Sequence, residues 1–408
     1  MKLKLTYLLA IILPFLSCKS QTPSPQNNTQ QTALKIVGGG CDGCELMFVD
    51  MPKNINATDT SAGWTEKGVK LLVTGKVYQI DGKTPAKDVI IYYWQTDHNG
   101  YYSSKPTTNK AAQRHGHIRG WVKTDQEGRY AIYTIRPAPY PNETIPAHIH
   151  TAIKEPDIDN EYYIDEFVFD DDRLLTGDKR RALENRGGSG VLRLVEVNGL
   201  LVAEHNIVLG VNIPNYPPKT EGSSINNSGL QIGEDQPSFI PYHAWGPDKG
   251  TRTCPVCKYG RYHGIVYFVG NLPDWADIKK WLRYLETESG NRSKYLKAYF
   301  VYGNETGYSK QQRQATLEKI GKELGLVYVA LTYVPSMTDA ESEANLNKID
   351  PAAKNTFVIY RHRNIIDKYI NFYYQRTTPE SLLHQSTPAN RAARSTSIRI
   401  IKPAYPKG

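Results

Sequence analysis

Past its first twenty residues the chain has no apolar run long enough to cross a bilayer, which takes roughly 20 consecutive apolar residues. It also lacks a clustered basic run. The formal charge is +9, but Lys and Arg are spread along the chain and no nucleic-acid motif accompanies them. Nucleic-acid binding is therefore a weak reading, and mild attraction to anionic surfaces is what the charge allows. Only five of the 408 residues are cysteine. Cys257 is followed by Lys258, so a haem-attachment CxxCH is absent.

The shorter apolar stretch at the start is informative. Lys2 and Lys4 form a positive n-region, and residues 5–15 are mostly apolar, interrupted by Thr6 and Pro14. That stretch is too short to span and reads as a signal peptide, residues 1–17. Phe15-Leu16-Ser17-Cys18 resembles a bacterial lipobox, which makes Cys18 the expected lipidation site; the alternative is an ordinary secretion signal with an incidental cysteine. Residues 18–34 are rich in Ser, Thr, Gln, Asn and Pro and read as a flexible tether. The expectation is an exported protein anchored by lipid to a bacterial membrane, with the membrane face and oligomeric state left open.

The other four cysteines form CDGC (Cys41, Cys44) and CPVC (Cys254, Cys257). In an oxidising compartment each pair is expected to close a local disulfide. A single zinc site made from both pairs is disfavoured by their separation.

A length of 408 residues predicts two domains. Residues 35–211 show short strands punctuated by turn signals, with predicted strands at 70–79, 89–95, 121–124, 130–135, 162–169, 192–197 and 200–209. Asp81-Gly82 and Asn198-Gly199 read as hairpin turns. This pattern predicts an all-β antiparallel sandwich. Residues 212–240, rich in Pro, Gly, Ser and Asn, read as a linker. Over 241–408 strand and helix alternate. Strands are expected at 265–269, 295–302 and 326–334, with helices opening at Pro273 and Ser309 and a hairpin formed by 356–360 and 365–372. That order predicts an α/β sheet and resembles the thioredoxin and peroxiredoxin fold.

Two segments carry the chemistry. One is Asn99-Gly100-Tyr101-Tyr102. The other is the Pro-rich run around Tyr140, followed by Pro146-Ala147-His148-Ile149-His150. On a strand, residues two apart leave the same face, so His148 and His150 converge. Tyr140 lies between Pro139 and Pro141, whose fixed φ limits its freedom. Two phenolates with two imidazoles favour Fe(III) over Zn(II). The bland alternative is a surface His pair in a chain that holds 28 tyrosines. His98, His115 and His117 lie in a polar stretch and read as exposed loop histidines, with His115 or His117 at the site mouth as the functional alternative. Asp170-Asp171-Asp172 reads as a solvated turn.

Residues 71–209 resemble the intradiol ring-cleavage dioxygenases of the catechol and protocatechuate type. The matching words are Ile91-Tyr92-Tyr93-Trp94-Gln95-Thr96-Asp97, Gly100-Tyr101-Tyr102, Arg119-Gly120-Trp121-Val122-Lys123-Thr124-Asp125, Gly128-Arg129-Tyr130, Thr134-Ile135-Arg136-Pro137 and the run ending at His150. The resemblance implies one Fe(III) per chain, held by Tyr102, Tyr140, His148 and His150. It implies that Tyr140 releases the metal when a catecholate chelates it and takes a substrate proton. It further implies a small aromatic diol and O2 as substrates, opened between the hydroxyl-bearing carbons to a muconate-type diacid. Two positions depart from the pattern: Ile145 stands where the family has an Arg over the substrate ring, and Asn142 where an aromatic pocket residue is usual. A lost cation of that kind costs transition-state stabilisation. Arg114, Arg119 and Arg136 are the residues available to compensate, and Arg119 and Arg136 join Tyr140 as candidate catalytic groups.

Two other functions fit the residues. The sandwich could hold iron or a catecholate compound without turnover, or CPVC could run thiol–disulfide exchange. Against the latter, Cys254 and Cys257 precede the 265–269 strand, Gly270-Asn271-Leu272 after that strand holds no thiol, and Asn355 stands where redox enzymes of the thioredoxin fold carry a cis-proline.

Overall fold

Period-two alternation builds the first half of the protein. The computed structural model describes residues 36–217 and 228–374. The expected signal peptide, Cys18, the tether and part of the expected linker lie outside these residues. In chain order the first lobe contains β1 (Thr58–Thr60), β2 (Lys70–Tyr78), β3 (Ile90–Gln95), β4 (Arg119–Lys123), β5 (Arg129–Ile135) and β6 (His148–Lys154). These are followed by β7 (Tyr162–Tyr163), β8 (Phe167–Phe169), the short helix α1 (Gly177–Arg181), β9 (Val191–Leu192), β10 (Leu194–Val197), β11 (Leu200–Glu204) and β12 (Ile207–Val208). One sheet runs β1-β5-β2-β11-β10 with β12 on β2, and the other runs β4-β3-β6-β8-β9 with β7 on β6.

The two sheets share a core. Leu71, Val73 and Val77 of β2 meet Ile91 and Tyr93 of β3 and Ile149 and Ile153 of β6. Each of these strands sends every second side chain inward. Their alternate residues face away, and Tyr92, Trp94 and Ala152 form a second small cluster with Cys44 and Met47 on the outer face. That outer face carries His148 and His150.

The structure corrects several sequence expectations. The sandwich is mixed, because β1 pairs parallel with β5, β11 and β12 with β2, and β8 with β9. Asp81-Gly82 makes a local turn, with the Gln79 N–H donating to Thr84 O at 2.8 Å, but β2 and β3 belong to different sheets. The chain there crosses the sandwich instead of folding back. Asn198-Gly199 does close a hairpin, with φ of 52° and 81° joining antiparallel β10 and β11. The expected strand at 162–169 is broken between β7 and β8, because Asp165 turns to accept the N–H groups of Asn185 and Arg186.

The second lobe holds one six-stranded sheet. Its strands are β13 (Tyr242–Trp245), β14 (His263–Val269), β15 (Leu296–Tyr302), β16 (Ala330–Tyr333), β17 (Thr356–Arg361) and β18 (Asn364–Ile370). Their order is β13-β16-β15-β14-β17-β18. Helices are α2 (Pro255–Tyr259), α3 (Trp275–Asn291) and α4 (Lys310–Leu324). Asp274 caps α3 by accepting from the Ala276 and Asp277 N–H groups, and Ser309 caps α4. Ile278, Trp281, Leu282 and Leu285 of α3 and Leu317 and Ile320 of α4 pack on the same side of the sheet. Leu230, Phe239, Val256, Met337 and Ile349 cover the opposite side. The strand expected over 326–334 starts late, because the Glu286 carboxylate takes the N–H groups of Val327, Tyr328 and Val329.

Strand β13 was not legible in the sequence, and it changes the setting of CPVC. Cys254 follows an edge strand and caps the five-residue helix α2. Both CxxC pairs are disulfide-bonded, Cys41–Cys44 and Cys254–Cys257.

Residues 228–240, within the expected linker, are packed between the lobes. Ser228, Leu230, Glu234, Gln236 and Phe239 are buried. Gly233 donates its N–H to Ile365 O and accepts from the Ser189 N–H, both at 2.8 Å. Asp235 lies 3.4 Å from both Arg180 and Arg363. No helix among the described residues is long and apolar enough to cross a membrane.

Candidate metal centre

Four side chains from three segments meet on the outer face of the β3–β6 sheet. Tyr102 Oη lies 2.6 Å from Tyr140 Oη, and Tyr140 Oη lies 3.1 Å from His148 Nε2. His148 Nε2 lies 3.1 Å from His150 Nε2, and His150 Nε2 lies 2.8 Å from Tyr102 Oη. The four heteroatoms close a ring. Every expected ligand is therefore brought to one place.

The local sequence explains how each is aimed. β6 projects both imidazoles from one face. Tyr102 leaves a loop that Asp97 organises: its carboxylate accepts from the Asn99 and Tyr101 N–H groups at 2.8 and 3.2 Å and from Ser103 Oγ at 2.5 Å. Burial raises the Asp97 carboxyl, but these hydrogen bonds outweigh it and hold it below its ordinary value. Gly100 is required there. It sits at φ +87°, and a Cβ would stand 2.1 Å from Pro139 O. The same close approach brings the Tyr102 and Tyr140 loops together. The acidic turn has a role beyond solvation: Asp172 accepts the Ala147 N–H at 2.8 Å, next to His148, and Asp171 binds Arg136.

The donor set fits a cation. His148 Nδ1 lies 2.8 Å from Pro146 O, and His150 Nδ1 lies 2.8 Å from Glu166 Oε1. A carbonyl and a carboxylate can only accept, so each Nδ1 carries the proton and each Nε2 offers a lone pair. Two lone pairs facing each other at 3.1 Å are repulsive unless a proton or metal lies between them. Metal bonds of about 2 Å would place neighbouring donors about 3 Å apart. Burial also lowers His148, favouring the neutral ligand form. Without a cation, burial first and then the Tyr140 hydrogen bond push the Tyr102 phenol up. Burial raises Tyr140 as well.

The arginines sit elsewhere. Arg136 binds Asp171 through two 2.8 Å hydrogen bonds and covers the Phe169 ring. Arg119 donates to Asp50 at 2.9 Å and Val49 O at 3.1 Å, and Arg114 pairs with Asp42 and Glu45. Ile145 is 44% exposed. Each guanidinium thus has its own partners and is not held against the four-atom ring.

Four residues around the centre were not singled out from the sequence as site residues or were misread. Trp94 stacks on His150 at 4.8 Å between ring centres, and His115 stacks on the other face of Trp94 at 4.1 Å. His115 is buried, not exposed, and its Nδ1 lies 2.9 Å from Tyr92 Oη. His117 binds Ser103 O and Glu66. Glu166 is the fourth. The only available signal was cross-strand register, which the broken 162–169 strand conceals. Apolar contacts of Cys41 and Cys44 with the cluster around Tyr92 and Trp94 place the CDGC disulfide behind this wall.

Comparison with known proteins gives the following matches. Residues 48–198 match the family model described as Dioxygenase. The chain is 34% identical over 92 residues to the protocatechuate 3,4-dioxygenase beta chain of Burkholderia cepacia, covering 21% of this chain and 39% of that one. It is 27% identical over 135 residues to catechol 1,2-dioxygenase 2 of Acinetobacter lwoffii, covering 26% and 46%. It thus spans less than half the length of these relatives. Among solved structures, 3-chlorocatechol 1,2-dioxygenase from Rhodococcus opacus 1CP matches at 21% identity and a TM-score of 0.30, over 39% of this chain and 67% of that one. The family match and the two relatives support an intradiol ring-cleavage dioxygenase domain in this part of the chain.

Proposed function

We propose that the protein is a non-haem Fe(III) dioxygenase that opens the ring of a small catechol-type aromatic between its two hydroxyl-bearing carbons, using O2 and giving a muconate-type diacid. The carrying observation is the closed ring of Tyr102, Tyr140, His148 and His150 heteroatoms, 2.6–3.1 Å on each side. When bound, ferric iron supplies Lewis-acid activation of a chelated aromatic diolate. The chain's own residues do the rest. His148 and His150 turn Nε2 to the site because their Nδ1 protons are held by Pro146 O and Glu166. Tyr140 Oη, on a loop fixed by flanking prolines, would be held as the phenolate by bound iron and could then accept a proton from the incoming diol, becoming the neutral phenol that burial favours. Trp94 and the buried face of β6 keep water from behind the imidazoles.

The leader and Cys18 fit an exported, lipid-anchored enzyme. The parallel β14–β15 pair joined through α3, flanked by antiparallel β17 and β18, supports reading the second lobe as a thioredoxin-like module with a structural Cys254–Cys257 bond.

The test is the visible spectrum of the iron-loaded protein before and after catechol is added without O2, followed by O2 uptake. Phenolate-to-iron charge transfer is expected to colour the protein, and catechol to shift the band to longer wavelength. Tyr102→Phe and His148→Ala are expected to abolish both. A folded, colourless protein refutes the iron site. A coloured protein that returns catechol unchanged after long aeration leaves the binding-only reading.

A further inference from the structure

Glu166 has no place in the ligand set, yet it makes the shortest polar contact to any of the four ligand side chains from outside the ring and its flanking carbonyl. Its Oε1 lies 2.8 Å from His150 Nδ1. The fold sets this contact through backbone register. β6 and β8 pair antiparallel as His148↔Val168 and Ile149↔Phe167, so the next position along places Glu166 across from His150. The Glu166 backbone is clamped in turn. A Cβ at Gly190 would stand 2.2 Å from Glu166 O, and the Val168 N–H donates to Gly190 O at 3.0 Å. Trp94, directly opposite His150 in the β3–β6 register, fixes the imidazole plane by stacking on it.

Two roles compete for this carboxylate. His148, His150 and Glu166 each offer an atom within 4.8 Å of the others, so a His–His–carboxylate metal group is conceivable. The hydrogen-bond geometry argues against it. Glu166 engages Nδ1, the nitrogen on the far side of the imidazole from Nε2, and Nε2 is the atom that converges with the two tyrosine oxygens.

We propose that Glu166 is the positioning residue of the metal centre: by accepting the His150 Nδ1 proton it fixes the tautomer and ring angle of that ligand and makes it a stronger electron donor. The identity of the metal rests on the function proposed above; the hydrogen bond and tautomer do not. Carboxylate–imidazole–metal relays act in this way, and losing the outer carboxylate typically costs about 10–100-fold in metal affinity. The carboxylate is 44% exposed, so solvent screens its charge, and the direct hydrogen bond carries the effect.

The experiment compares the full-length wild type with Glu166→Gln and Glu166→Ala. Gln keeps an oxygen that can accept the Nδ1 proton but removes the charge; Ala removes both. Fe(III) affinity is measured by chelator competition, with the charge-transfer band recorded alongside. Affinity is expected to fall about tenfold in Gln and further in Ala, with the band moving to longer wavelength in both as donation from His150 weakens. A merely structural role would lower the melting temperature and leave the band of the folded fraction in place. Ring 15N shifts of His150 in the metal-free protein give a reading independent of iron. The Nδ1–H tautomer is expected in wild type and a tautomer mixture in Ala. Unchanged affinity and band in both variants, or an Nε2–H tautomer in wild type, overturns the proposal. A wild type that takes up no Fe(III) but shows the Nδ1–H tautomer sinks the dioxygenase reading and keeps the positioning role.

Discussion

In the first lobe, four polar side chains each turn one atom toward a shared point; in the second, the groups below turn to separate partners. His148 and His150 direct two Nε2 atoms into a shared space with two tyrosine oxygens. In the α/β lobe His243 Nε2 is taken by Thr253 O at 2.9 Å, Asp248 by Lys258, Arg252 by Glu341 and Lys279 by Glu323. Among the described residues, no second group of three His, Cys or carboxylate side chains converges. The difference shows what marks a binding site physically. Buried polar atoms are normally satisfied; here the two Nε2 lone pairs are met by the two phenol O–H groups, and the same four atoms are placed as a shared cation would need them.

The comparison breaks most sharply at the two buried tryptophans. Trp94 is 3% exposed and Trp281 fully buried. Replacing either by Ala is expected to cost about 3–5 kcal/mol in denaturant unfolding. Only Trp94→Ala, which removes the wall behind His150, is expected also to weaken iron binding in the protein that remains folded. Equal iron affinity in both variants would mean that Trp94 supports the core alone.

A somewhat smaller effect concerns His205, sealed in the first lobe with its Nε2 against Ser189 O at 2.6 Å. Burial lowers it to about 4, and the Ser189 hydrogen bond opposes that shift only in part. The unfolded chain binds this proton near pH 6.5 and the folded chain does not, so stability is full above that pH and falls as pH drops toward 4. The loss is expected to reach about 3 kcal/mol, and His205→Gln should flatten the pH dependence of unfolding.

The smallest effect separates the two disulfides. Each closes a short loop, so replacing either Cys pair by Ser is expected to cost at most about 2 kcal/mol. Loss of Cys41–Cys44, which packs with the Tyr92 and Trp94 cluster, should speed iron release to a chelator. Loss of Cys254–Cys257 should not. Identical release rates would show that the CDGC segment does not brace the centre.

How much of this was legible before the structure follows from the range of each interaction. His148 and His150 could be read because a two-residue spacing on a strand is local. Asn198-Gly199 and the capped helices α3 and α4 could be read for the same reason. Asp81-Gly82 misled, because a turn sequence specifies a turn and not which sheet receives the next strand. The burial of His115 depends on Trp94, and the role of Glu166 on register between β6 and β8. Neither relation leaves a trace in the order of residues. Arg119 and Arg136 were attractive by charge and position, but Asp50 and Asp171 are reached only through the fold.

The segment 228–240 bears on how the protein can be divided. Its composition invites a cut at residue 211. Such a cut would strip Gly233 from Ser189 and Val208 and remove Asp235 from Arg180, which also holds Asp170 beside the turn that orients His148. A minimal metal-binding fragment should therefore end after residue 240, carrying a strip of chain that belongs by sequence to the join and by packing to both sides of it.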